Sequence, residues 1–111
     1  MIMSIHFFIP SEAPGPPSIT STAADIQATS LTVKWTTPTD DGGSPITAYR
    51  VVIVKGGNET KNENITNHSL REKFIGGLEK NTNYTVKVYA RNYVFEGNAG
   101  QKMIKTKYEG K

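Results

Sequence analysis

Leu31-Thr32-Val33-Lys34-Trp35 and Tyr84-Thr85-Val86-Lys87-Val88-Tyr89-Ala90 decide how this chain folds. Each run sets an apolar side chain at every second residue. That period belongs to a strand with one face on a core and the other in water. A third run, Tyr49 to Val54, lies between them. An aromatic on an early strand and a tyrosine leading a late one fit a small two-sheet β-sandwich.

Working outward, the alternation predicts inward faces at Leu31, Val33 and Trp35, at Tyr49, Val51 and Ile53, and at Val86, Val88 and Ala90. Turn signals separate seven strands, near 18–22, 30–36, 46–55, 60–64, within 69–75, 83–91 and near 102–107. The predicted sheets hold the first, second and fifth strands, and the fourth, third, sixth and seventh. Asp40-Asp41-Gly42-Gly43-Ser44-Pro45 and Gly56-Gly57-Asn58 are the densest turns. The fifth strand is not cleanly apolar on either face, which predicts a bulge or a short strand.

The chain has 111 residues, enough for one domain and too few for two. It has no cysteine, which excludes a disulfide framework and a thiolate metal site. No apolar run reaches the ~18 residues of a membrane-spanning helix. The net charge of +3 is uneven. Residues 1–54 hold two bases and four acids, and residues 55–111 hold eleven bases and six acids. The second half therefore favours an acidic partner or carries a solvated basic face. Residues 1–12 are expected to be a flexible leader or linker, with a truncated signal peptide as the alternative for Ile5-His6-Phe7-Phe8-Ile9. Residues 13–108 form the domain and 109–111 a tail.

The residues now gathered resemble a fibronectin type III domain over nearly the whole chain. They are Pro16-Pro17, Leu31 to Trp35, Pro38, Asp41 to Val51, Gly77-Leu78, Asn81 to Tyr84, and Val86 to Asn92 followed by Gly97. The Asp-Gly-Gly-Ser-Pro-Ile segment is similar to modules of neural cell adhesion molecules, axonal receptors and titin-like proteins. The resemblance implies an all-β, seven-stranded, immunoglobulin-like sandwich. Trp35, Tyr49, Leu78 and Tyr84 are its structural marks, with the Tyr84 hydroxyl bonded to backbone near Leu78–Lys80. Asn81 stands where the family often has proline, and a looser turn is expected there.

No catalytic constellation emerges. His6 and His68 lack partners at metal or nucleophile spacing. Asp40-Asp41 reads as turn chemistry. The chain is expected to be no enzyme and to need no cofactor or metal. The face carrying Arg50, Val52, Val54, Lys87, Tyr89 and Arg91 should point outward, extended by Lys105 and Lys107, with Tyr93 and Phe95 on a loop at one end. This is the candidate partner surface. Four N-glycosylation sequons begin at Asn58, Asn64, Asn67 and Asn83, with Asn58 at a hairpin tip the best placed.

The resulting expectation is a non-catalytic interaction and spacer module of an extracellular or cell-surface adhesion or receptor protein. Its partner is a protein or a neighbouring domain, or an acidic polysaccharide. Neither nucleic-acid binding nor membrane insertion by this segment is expected. The alternatives are a cytoplasmic, titin-like structural module and an accessory domain appended to an enzyme.

Overall fold

The computed structural model describes residues 12–109. The leader at 1–12 lies outside them except for Glu12, and the tail at 109–111 except for Glu109. Seven strands follow one another: β1 Ser18–Ile19, β2 Leu31–Thr36, β3 Ala48–Lys55, β4 Asn58–Ile65, β5 Glu72–Ile75, β6 Asn83–Arg91 and β7 Gly100–Lys105. One short 3-10 turn, Ala23–Asp25, follows β1. The sheets are β1-β2-β5 and β4-β3-β6-β7, paired antiparallel throughout, as the sequence predicts.

The alternating residues meet in one core. Leu31, Val33 and Trp35 of β2 face Tyr49, Val51 and Ile53 of β3 and Tyr84, Val86, Val88 and Ala90 of β6, with Ile65, Ile75, Leu78 and Ile104 closing the cluster. Each large side chain buried this way contributes roughly 1.5–3 kcal/mol before entropy is counted. The Trp35 and Tyr49 rings meet with centroids 5.4 Å apart and planes tilted by 53°.

Strand ends depart from the sequence reading for local reasons. β1 is only two residues long because a side chain takes over the ladder. Ser21 Oγ donates to Thr32 O at 2.9 Å and accepts from Lys34 N–H at 2.8 Å. β4 is longer than predicted, eight residues, and absorbs a register shift opposite Ile53/Val54. At that shift Thr60 Oγ1 donates to Ile53 O. β5 is short, as expected, with Phe74 exposed on the outer face and Ile75 buried. β7 stops before Lys107, whose N–H leaves the sheet for Gln27 O.

The turn before β6 is tied, not loose. Asn81 has φ of +51°, a left-handed conformation that proline, locked near −65°, cannot take. Its N–H donates to Lys107 O at 3.0 Å, another contact proline lacks. Thr106 Oγ1 then donates to Glu79 O and accepts from Thr82 N–H.

Tyr84 completes this corner. Its ring is buried and its hydroxyl oxygen accepts the Glu79 N–H at 2.8 Å. Tyr84→Phe should therefore cost about 1–3 kcal/mol, the range for stranding a buried polar group. Denaturant unfolding is the check, read as a lower midpoint at unchanged slope. An unchanged midpoint would mean water replaces the hydroxyl freely.

Candidate interaction surface

Cross-strand register builds the outer face of the four-stranded sheet row by row. Arg50 lies between Asn64 and Tyr89, Val52 between Asn62 and Lys87, and Val54 between Glu59 and Thr85. On the far side Lys87 faces Gln101 and Thr85 faces Met103. Arg50, Val54, Lys87 and Tyr89 are half-buried, and Arg91 is exposed.

Two members of the predicted surface need correction. Val52 does point to this face, yet it is only 1% exposed and lies outside the core cluster. Long neighbours on adjacent strands can lay their stems over a short branched residue, and Val52 sits between Asn62 and Lys87. It offers a partner no area. Lys107 does not extend the row, because it lies past the end of β7. Met103, which the sequence reading passed over, is exposed in its place.

Arg50 is held rather than free. Its guanidinium sits 4.2 Å from the Tyr89 ring centroid. It also donates to both carboxylate oxygens of Glu96, at 2.9 and 2.7 Å. This two-pronged bond holds the Glu96 carboxyl below the usual carboxylate range and raises the Arg50 pKa. A depressed carboxyl pKa stabilises the fold above the unfolded-state pKa, and that contribution is lost as pH falls through the folded value. Glu96→Gln should lower the melting temperature at neutral pH, by under about 1 kcal/mol equivalent for a pair this open to solvent. The gap to wild type should close as pH falls below the carboxylate range. A gap that persists in acid would show that the pair is not its source.

Beyond Arg91 the chain turns through a loop organised by Asn92, which is fully buried. Asn92 Oδ1 accepts from the N–H groups of Val94 and Phe95 at 2.9 and 2.8 Å. Its Nδ2 donates to Glu12 O at 2.7 Å and to Asp41 O at 3.0 Å. One side chain thus ties the β6–β7 loop to the β2–β3 loop and to the entering segment. Asp40 and Asp41 shape the β2–β3 loop as turn residues, accepting from Gly42 and Gly43 N–H. Held this way, the β6–β7 loop leaves Tyr93, Val94 and Phe95 exposed by 76%, 55% and 46%. Sequence reading named Tyr93 and Phe95 but missed Asn92 and Glu96, whose roles depend on partners far away in the chain.

The four sequon asparagines are all exposed. Asn58 opens β4 at its hairpin, Asn64 is near the end of β4, and Asn83 opens β6 opposite Lys105. Asn67 spends its Oδ1 on the Ser69 N–H. Among the described residues no group of three or more acids, histidines or cysteines stands together to hold a metal. None of the helices there is long and apolar enough to cross a membrane.

Comparison with known proteins matches this architecture. The chain is 34% identical over 92 residues to fibronectin type-III domain-containing protein 3a of Gallus gallus, covering 83% of this chain and 7% of that one. The Homo sapiens protein of that name is 31% identical over 85 residues, 77% of this chain and 7% of its own length. The chain thus spans a small fraction of these curated relatives. Among solved structures, the rat CD45 extracellular region, domains d3–d4, superposes with a TM-score of 0.72 at 22% identity, covering 86% of this chain and 51% of that one. A structure of titin domains does so at 0.65 and 23% identity, covering 87% of this chain and 33% of that one. The family model for the fibronectin type III domain matches residues 15–106. With its two sheets in this order, its buried Trp35 and its Tyr84 corner, the chain belongs to the fibronectin type III family.

Proposed function

We infer that this domain serves, as domains of its family generally do, as a non-catalytic interaction and spacer module. We propose that this one belongs to an extracellular or cell-surface adhesion or receptor protein. We further propose that its contact surface is the end of the four-stranded sheet where Tyr89 and Arg91 meet Tyr93, Val94 and Phe95.

The observation that carries this reading is the β6–β7 loop. Three consecutive large apolar side chains stand in water, while the backbone beneath them is fixed by Asn92. A loop with no task has no reason to keep such residues exposed. Aromatic anchors on a rigid base bind at low ordering cost, and they are enriched at interface hot spots. Four exposed sequons support passage through the secretory pathway.

The test has two parts. Surface labelling of intact cells with an impermeant reagent should mark the full-length parent; a parent found only in the cytosol removes the extracellular half. Tyr93→Ser with Phe95→Ser should weaken binding of the parent's partner at least tenfold while the domain stays folded. Unchanged affinity removes the surface.

A further inference from the structure

Beside Arg50 the outer face opens into a groove of about 350 Å³, within the range of about 300–1,000 Å³ typical of small-ligand sites. Its lining mixes polar side chains, Thr47, Arg50, Asn64, Thr66, Arg91 and Glu96, with a comparable share of apolar surface that includes Ala48 and Tyr49, the combination that the polar edges and apolar faces of a sugar ring match. Asn64 and Thr66 are the first and third residues of one sequon. Ile65 between them is buried in the core, and Asn64 near the end of β4 and Thr66 just past it are both exposed. The Asn64 side-chain amide makes no hydrogen bond among the described residues. Of the four sequons, this is the one on the rim of the groove.

The charges select the ligand class. Arg50 is already neutralised by Glu96, which leaves Arg91 as the one rim cation without an ion pair among the described residues. A groove for an anion would leave both guanidinium groups available. The Thr66 hydroxyl, the Thr47 oxygen (whose hydrogen goes to Arg91 O), the Glu96 carboxylate and the Arg91 guanidinium instead offer donors and acceptors close together, the pattern that suits sugar hydroxyls. The Arg50–Glu96 clamp is formed in advance, so a ligand orders little on arrival.

We propose that Asn64 carries an N-linked glycan whose first sugar lies in this groove, hydrogen-bonded to Arg91 and Thr47. The donor is a polyprenyl-pyrophosphate-linked oligosaccharide. The Asn64 Nδ2–C1 bond forms as the C1–oxygen bond to pyrophosphate breaks, and one amide proton passes to the transferase. The remaining N–H stays on Nδ2. The inference rests on the cell-surface reading for its biology, while the seating of the sugar is a property of this fold.

The full chain, secreted from a eukaryotic host behind an added signal sequence, tests the two separately. Glycopeptide mass spectrometry should find Asn64 occupied. After trimming to a single N-acetylglucosamine, the protein should melt about 4–8 °C above Asn64→Gln, the shift one net hydrogen bond gives a domain of this size. Arg91→Ala should remove most of that gain and leave the melting of Asn64→Gln unchanged. Asn64 found empty in folded, secreted protein overturns the proposal, including the case where Asn67 is occupied instead. A gain that survives Arg91→Ala overturns the seating. A parent confined to the cytosol, beside a glycan that is seated in the secreted chain, overturns the cell-surface reading alone.

Discussion

Asn92→Ala is expected to destabilise the domain by about 3–5 kcal/mol, among the largest effects of any single polar change. The substitution removes four hydrogen bonds at a fully buried site. The N–H groups of Val94 and Phe95 and the carbonyls of Glu12 and Asp41 lose their common partner. Each stranded buried group costs about 1–3 kcal/mol. The sum is not reached, because water enters once the loop relaxes. Asn92→Asp separates the two halves of the network: it keeps the acceptor for Val94 and Phe95 but sets a negative charge against two carbonyl oxygens. It should be no better tolerated than alanine, and its stability should improve in acid. Denaturant unfolding gives the comparison. A loss below about 1 kcal/mol for alanine would show that the three segments hold together without it.

Gly100→Ala should be comparably severe for a different reason. A Cβ there would stand 1.8 Å from Pro17 O and 2.9 Å from Pro17 C. Those are backbone atoms, so no side chain can swing aside. Gly97 and Gly42 meet the carbonyls of Pro14 and Glu12 in the same way, both at 2.0 Å. The entering segment therefore lies in a channel floored by three glycines. Gly100→Ala must lift β1 away from β7, at a cost at or above the upper end of the roughly 1–3 kcal/mol seen for overpacking. Gly43→Ala is the control. Its Cβ would meet nothing within 4 Å, but its φ is +88°. It should lose only about 1–2 kcal/mol of backbone preference. Equal losses at the two sites would mean that the close approach to Pro17 is not what constrains Gly100.

The contrast between what was and was not legible in the sequence follows from range. Alternation is local, so β2, β3 and β6 and their inward residues could be read directly, as could the glycine-rich turns. The tyrosine corner was readable through the family resemblance, and its bond between Tyr84 and Glu79 spans only five residues. In the sequence Asn92 is only the last residue of the Val86 to Asn92 run. Its partners lie 80 and 51 positions away, and nothing in a loop asparagine announces them. The Arg50–Glu96 pair spans 46 positions and was invisible for the same reason. Val52 shows a second limit. Period two assigns a residue to a face but cannot say whether neighbours on that face will cover it. Ser21 shows a third: a side chain that imitates a ladder bond ends a strand where composition would continue it.

The two knots at the chain's entry and exit decide how this domain bears force. Glu12 is fastened to Gly42 and Asn92 at one end of the sandwich. Lys107 is fastened to Gln27 and Asn81 at the other. β1 is too short to share much load. Tension drawn along the chain therefore falls first on the Glu12 bonds and on the glycine channel behind them. Their rupture, together with that of the Gly15 N–H bond to Asp40 O, frees residues 12–17, about 20 Å of extended chain, before any ladder between β2, β3 and β6 is sheared. The domain can lengthen by that increment and still keep its core, a spring stage ahead of unfolding with Asn92 as its catch.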